Sequence, residues 1–518
     1  MRSSEDSKKI LPEYFFIGLF TLAVFLIRFS LWMSSKSIWG DEWYSIATSQ
    51  KTFFEIIRSE ISTSHPPTYQ FLLSLWTKLF GVNELSFRSL SHAMNILVIL
   101  GSYGVAKELF DRKVALLTAA LIGICPYFLH LSNEIRSYST LAFFSTFAAY
   151  FFFKARNNPA RRLWKFAYAL FAVLTIYTEH YGWFWLLGIS SYLLFKLIED
   201  WKREKKWVWV QGSIVLFALP SILLIIYQAL FDEKILSASK LASYRSLLDM
   251  LKKTFGIFWH YICGPIYSML PIQRVVELAK HSFAFWISFI LTLVMLSLCL
   301  KALADLFRKE KSILVLSLST IFFPVFFLLC VYPIRLDARY LCWAVPIFFS
   351  LIAYAMTRLK NGRLQKLVVG FFVIYSLIAD IYMIRIPTDP MHKEDYRGML
   401  QYSFEHSGKN DAIAGVGNQT TYYLTRIGIK PEGTYFNSLQ EALDAMTSTR
   451  FAQVWTLHYI NMKPEITEQI LAEIDAQLLP FHYARKGDLM RFGGPDALTA
   501  IQLYKYSGPE KRGASEFA

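Results

Sequence analysis

Two adjacent carboxylates, Asp41 and Glu42, stand between Trp39 and Tyr44, directly after an apolar run. Neighbouring acids can divide a reaction between them, one taking a proton from an incoming hydroxyl while the other orients it or holds a metal ion. The plain alternative is an acidic helix start or a solvated loop. A second cluster is Asn133-Glu134-Ile135-Arg136-Ser137-Tyr138. From one short turn a carboxylate and a guanidinium can address a sugar hydroxyl and a phosphate, because Arg suits bidentate phosphate recognition. Its alternative is a local ion pair that closes the turn. In Ser64-His65-Pro66-Pro67-Thr68-Tyr69 the prolines stiffen the approach to a helix and fix His65, with Tyr69 one turn on. A lone His is as readily structural. Glu179-His180-Tyr181 marks a tight turn, and His260 and Tyr261 follow Trp259 in a longer connection. Such aromatics also suit an interfacial belt. The last group is Arg335, Asp337, Arg339 and Tyr340. Its arginines suit an anionic ligand, against the alternative of an Asp337–Arg339 pair.

These residues lie at the ends of long apolar blocks, and the composition says what the blocks are. The 518 residues are 54% hydrophobic and 17% aromatic but only 18% charged, where a soluble chain carries about a quarter charged. Many blocks reach the ~20 residues that cross hydrocarbon, which excludes a soluble globular enzyme. Candidate spans run over residues 14–33, 87–109, 114–131, 138–153, 164–177, 182–197, 208–230, 283–303, 313–332, 340–356 and 367–384. The sequence therefore predicts a polytopic α-helical membrane protein with about eleven transmembrane helices. The net charge of +15 is spread in small groups between the blocks. Nucleic-acid binding would gather it on one face or tail, so the charge reports orientation. Five scattered cysteines, mostly within apolar segments, read as packing.

The Lys/Arg groups 107–113, 154–165, 202–206, 301–311 and 358–366 fall in alternate connections. By the positive-inside rule those connections and the N-terminus face the cytoplasm. The turns carrying Glu134, Glu179 and Arg339 face outward with the 34–86 connection and the C-terminus. Within 34–86, residues 53–61 and 68–80 read as short amphipathic helices along the membrane surface. A second long outer connection, 231–281, reads as a cap over a cavity. Beyond the membrane region of 1–388, residues 389–507 alternate charged helical stretches with short apolar strands, and 508–518 is a polar tail. The expected strands are 412–416, 451–458 and 498–506, in a small extracytoplasmic α/β domain with a mostly parallel sheet. It has no GxGxxG or P-loop sequence, so no nucleotide is assigned to it.

Together these residues resemble the GT-C superfamily of polyprenyl-phosphate-sugar glycosyltransferases. The resemblance is to bacterial members related to the protein O-mannosyltransferases and the lipid A aminoarabinose transferase, and it spans residues 17–396. It rests on Gly40-Asp41-Glu42, His65-Pro66-Pro67 with Leu79-Phe80-Gly81, Arg88, the Ser132–Tyr138 stretch, Arg339-Tyr340 and Glu394-Asp395-Tyr396-Arg397. It implies inverting transfer of a sugar from a polyprenyl-phosphate carrier to a glycolipid such as lipid A, or to a protein hydroxyl, outside a bacterial inner membrane. Asp41 would activate the acceptor beside Glu42, with Glu134 as a further acidic member. Arg136, His65, Arg339 and Tyr340 would hold the leaving phosphate, with Tyr69, Arg88, Glu179, His180, His260 and Tyr261 as further substrate-binding candidates. Relatives of the aminoarabinose-transferase type carry Lys where His65 falls, which leaves donor identity open. No organic cofactor is implied; whether a divalent cation takes part is open, with Asp41 and Glu134 as the candidates to hold one. The competing class is a transporter or flippase for lipid-linked sugars, which would show polar midplanes and broken spans in both halves.

Overall fold

The computed structural model of the chain describes residues 19–24, 26–27, 37–63, 65–231, 247–265, 282–331, 336–385, 395–415, 422–424, 434–449, 451–461, 472–478, 484–492 and 499–507. It falls into two units, residues 1–33 with 45–382, and residues 34–44 with 383–518.

The first unit is a helix bundle, and every apolar block from residue 87 onward reappears in it as a helix. They are Glu84–Leu109, Arg112–Ile124 with Pro126–Ser132, Tyr138–Asn157, Arg162–Thr178, Gly182–Glu199, Lys206–Phe231, Phe283–Lys309, Lys311–Leu329, Ala338–Thr357 and Gly362–Arg385. Residues 14–33 lie mostly outside the described residues. Among the described residues, six helices are long and apolar enough to cross a membrane, or seven if one bent pair is a single span, against the about eleven expected. The difference lies in shorter or more polar members. Arg162–Thr178 has only 17 residues, and Tyr138–Asn157 ends in Lys154 and Arg156.

Local chemistry sets the boundaries. Asn83 accepts from Ser86 N, and Asp111 accepts from Lys113 N and Val114 N, closing the starts of their helices. Cys125 is extended (φ −67°, ψ 126°) because Pro126 follows it, and there the pair Arg112–Ile124 and Pro126–Ser132 bends by 56°. That bend sets the seven-residue helix Pro126–Ser132, fully buried, beneath the Glu134 turn.

The helices carrying Arg88 and Tyr138 approach closely at two glycines, as membrane helices do through small residues. A Cβ on Gly101 would lie 2.9 Å from Thr146 Cγ2, and one on Gly104 would lie 2.7 Å from Tyr150 Cε2. Gly104→Val is therefore expected to destabilise the protein by about 1–3 kcal/mol, read as a lower unfolding midpoint in detergent. An unchanged midpoint would show that the two helices part freely there.

The surface helices are Phe53–Thr63 and Thr68–Phe80. The Phe53 ring stacks on Phe71 at 4.6 Å, while Phe54 and Phe80 remain exposed, an arrangement suited to an interface. The 231–281 connection is more than a cap. It contains the helix Leu247–Cys263, whose Ile257, Phe258, Trp259, Tyr261, Ile262 and Cys263 belong to the bundle core. The sequence disguised it because its other face is polar, with Asp249, Lys252 and Lys253.

The second unit carries a five-stranded sheet of order β2-β1-β3-β5-β4. The strands are β1 (Asp411–Ala414), β2 (Thr434–Phe436), β3 (Gln453–Asn461), β4 (Ala484–Phe492) and β5 (Thr499–Ser507). β1 pairs parallel with β2 and β3, but β5 pairs antiparallel with both β3 and β4. The mostly parallel expectation is thus corrected to a mixed sheet. β4 and β5 are too close in sequence for a parallel crossover. The helices Tyr396–His406 and Leu439–Met446 start at Asp395 and Ser438, whose side chains accept from Gly398 N and Glu441 N. Asp411 anchors the start of β1, accepting from Trp455 Nε1 at 2.9 Å.

Candidate active site at one end of the bundle

The short turn between Pro126–Ser132 and Tyr138–Asn157 is buried together with its charges. Glu134 is 1% exposed and Arg136 8%. Charges so placed persist only when partnered, and their partners come from distant parts of the chain. Arg88 Nη1 donates to Asn133 O, and Ser91 Oγ donates to Glu134 O at 2.7 Å. Both donors lie on one face of Glu84–Leu109, so this helix holds the turn's backbone. The Glu134 carboxylate lies 3.2 Å from His130 Nε2, one helical turn earlier, and 3.5 Å from Arg339 Nη1.

Arg339 is thereby a bridge. Its Nε lies 3.1 Å from Asp337 Oδ2, and its backbone N–H donates to Asp337 Oδ1 at 3.1 Å. Its guanidinium lies 5.3 Å from the Tyr138 ring and 5.7 Å from that of Tyr340. Arg136 lies 6.0 Å from the Tyr138 ring and donates to Ser45 Oγ at 3.3 Å. Tyr138 therefore has a guanidinium from each of two elements against it, a cation–π arrangement that holds both heads in one region. Beside the alternative of an ion pair local to the turn, Glu134 has a partner from far along the chain, Arg339. The Asp337–Arg339 alternative is present alongside it.

The remaining residues extend this group outward. Ser137 Oγ donates to Glu179 Oε1. Tyr181 stacks on Tyr340 at 5.1 Å with a 16° interplanar angle, and His180 Nδ1 lies 3.2 Å from Ser221 Oγ. Tyr261 OH donates to Leu341 O at 3.0 Å, which fixes the segment after Arg339. His260 lies with its ring centroid 6.0 Å from that of His130 and 5.4 Å from that of Tyr127. His65 and Tyr69 stand at the start of Thr68–Phe80, where His65 N donates to Glu60 O at 3.1 Å and Tyr69 is buried. Arg335 lies outside the described residues. Among the described residues, no group of three or more His, Cys, Asp or Glu side chains could hold a metal ion.

Sequence reasoning passed over His130, whose i,i+4 spacing to Glu134 was the available signal, and Ser45. It also left unstated that Cys125 and Cys342 pack as weak donors, to Tyr261 O at 3.0 Å and Tyr138 O at 3.2 Å.

Burial pushes the pKa of His260 down to about 3, and no hydrogen-bond partner meets either of its ring nitrogens among the described residues. Burial alone would raise Asp337, but Arg339 and His260 outweigh it and hold the carboxyl below its ordinary value. Both groups then bind fewer protons folded than unfolded, so the stability they contribute falls as pH falls. For His260 the loss begins below the ordinary value of 6.5 and continues towards 3. A lower thermal midpoint at pH 5 than at pH 7 is expected, with a smaller drop in His260→Leu; equal drops would show that His260 is not the group responsible.

Asp41 and Glu42 belong to the second unit, in the first turn of the helix Gly40–Ser49. Asp41 is exposed, whereas Glu42 is 1% exposed and accepts from Trp39 N at 3.4 Å. Their segment is tied to the C-terminal part of the chain. Ile38 N donates to Tyr423 OH at 2.7 Å, Arg397 N donates to Ser37 Oγ at 3.1 Å, and the Trp43 ring lies 5.5 Å from that of Tyr422.

Residues 64–226 match the family described as dolichyl-phosphate-mannose-protein mannosyltransferase. An uncharacterized protein of Aquifex aeolicus (strain VF5) is 22% identical over 191 residues, 37% of this chain and 38% of that protein. The chain thus spans well under half the length of that curated relative. Among solved structures, apo ArnT from Cupriavidus metallidurans has a TM-score of 0.54 at 11% identity, over 97% of this chain and 98% of that one. The same ArnT bound to undecaprenyl phosphate has a TM-score of 0.50 at 12% identity, over 94% and 97%. The Archaeoglobus fulgidus oligosaccharyltransferase tethered to an acceptor peptide has a TM-score of 0.50 at 11% identity, over 94% and 74%.

Proposed function

We propose that this chain, which has the fold of the GT-C glycosyltransferases, moves a sugar from a polyprenyl-phosphate carrier to an acceptor hydroxyl at the outer face of a bacterial inner membrane. The acceptor is a glycolipid such as lipid A, or a protein. The observation that carries the reading is the buried group built on Glu134, in which Arg136 and Arg339 flank one tyrosine at the end of a membrane bundle. Ionisable groups in such places are retained for function, and guanidiniums held by aromatic rings suit a phosphate. Arg136 and Arg339 take the departing phosphate charge, which preorganised donors stabilise as it develops. Tyr340 and His65 are assigned to the same ligand. Arg88 and Glu134 position the arginine-bearing segments. Asp41, the exposed member of its pair, is assigned as the base on the acceptor oxygen. Glu42 is assigned to shaping the turn. A single displacement inverts the anomeric carbon. The ligand carried by the ArnT structure, undecaprenyl phosphate, is of the same class as the donor.

The transporter reading expects broken spans in both halves. Among the described residues there is one bent pair, at Cys125–Pro126, and it delivers His130 to the Glu134 turn. The test is incubation of purified protein with a panel of polyprenyl-phosphate sugars and acceptors, with and without chelator, following free carrier phosphate by mass spectrometry. Release from at least one donor is expected, and the chelator arm decides whether a metal takes part. Release from none would turn the assignment towards transport.

A further inference from the structure

The segment that carries Asp41 is held in place from far along the chain. Asp41 is the second residue of the helix Gly40–Ser49, and three contacts bracket it. Before it, the backbone N–H of the buried Ile38 donates to Tyr423 OH across 385 residues of sequence. Ser37 Oγ accepts from Arg397 N, in the first turn of the helix Tyr396–His406. First-turn N–H groups have no partner within their own helix, so Ser37 caps that helix from a distant segment. After Asp41, the Trp43 ring meets that of Tyr422. The holding residues are themselves joined. Tyr422 and Tyr423 lie edge to face at 5.2 Å, and the Arg397 guanidinium is 5.4 Å from the Tyr423 ring.

Tyr423 is 2% exposed. A buried tyrosine keeps its hydroxyl partnered, and here the hydroxyl accepts a backbone N–H three residues before Asp41. Two consecutive backbone positions are thus fixed just ahead of a helix, and the course of a helix sets the direction of each side chain on it. A general base must stand within about 3 Å of the proton it takes, and small misplacements cost rate steeply. We infer, resting on the reading of Asp41 as the base, that Tyr423 is a positioning residue for the transfer. It aims the Asp41 carboxylate through the backbone of Ile38. The C-terminal domain is then part of the catalytic apparatus, whatever acceptor it meets.

Tyr423→Phe removes the acceptor oxygen, keeps the ring and leaves the buried Ile38 N–H without its partner. In full-length protein, hydrogen–deuterium exchange over residues 37–44 should quicken about tenfold. With the donor of the panel that gives release, kcat should fall about tenfold while KM for that donor holds. In the Asp41→Asn background the same change should cost nothing further, because the two residues act as a unit. Tyr506→Phe is the control for domain stability. It removes the bond from the buried Tyr506 OH to Asp475 Oδ1, 2.9 Å, in the same unit, and should lower the unfolding midpoint with kcat retained. Exchange needs no substrate, and unchanged exchange in Tyr423→Phe overturns the inference. So does full turnover in Tyr423→Phe where Asp41→Asn is impaired, a further loss in the double variant, or an equal loss of kcat in Tyr506→Phe. Full turnover in Asp41→Asn overturns the inference together with the reading of the base beneath it.

Discussion

Arg136→Gln is expected to lower transfer about a hundredfold or more, in line with the loss of one preorganised donor to developing negative charge. Arg339 bridges Glu134 and Asp337, so removing it strands two buried carboxylates, a loss of about 3–5 kcal/mol. Arg136 donates to Ser45 Oγ and lies against the Tyr138 ring. Turnover is read beside the thermal midpoint, and a collapse of rate that exceeds any loss of folded protein is the expected result. Arg136→Lys keeps the charge but loses the planar fork, and an intermediate rate is expected. Unaltered turnover in Arg136→Gln would leave Arg136 a structural contact of Ser45.

The second large effect is at the acidic pair. Asp41→Asn is isosteric and at an exposed position, so folding should be unaffected. Loss of a general base should still lower transfer by about 10²–10⁴-fold. Glu42→Gln should behave otherwise. Glu42 is buried and receives the Trp39 N–H, so its variant should lose thermal stability as well as rate. Rates measured alongside unfolding midpoints separate the two roles. Asp41→Asn turning over at the ordinary rate would remove Asp41 as base.

The bundle was legible because membrane spans advertise themselves by length and apolarity. The strands β1, β3 and β5 showed as short apolar runs between charged helices. What stayed hidden follows from the same rules. β4 contains Arg485, Lys486, Asp488 and Arg491, the charge expected of an edge strand, and so gave no apolar strand signal; β2 has three residues. Leu247–Cys263 hides an apolar face behind lysines. Within the site, sequence named Glu134, Arg136 and Arg339 but did not foresee that Glu134 lies against Arg339. A turn of chain offers its nearest opposite charge as the obvious partner, whereas the 56° bend at Pro126 and the segment after Asp337 bring Arg339 to Glu134 from far along the chain. His130 was passed over because its role depends on that same bend.

The most direct measurement on the central claim, that buried arginines at the end of the bundle recognise a carrier phosphate, is binding of undecaprenyl phosphate followed by native mass spectrometry. Undecaprenol, the same chain without phosphate, serves as competitor. Saturable binding of the phosphate, poor competition by undecaprenol and at least about tenfold weaker binding in Arg136→Gln are predicted. Equal binding of the two polyprenols, or binding that Arg136→Gln leaves unaltered, would contradict the account.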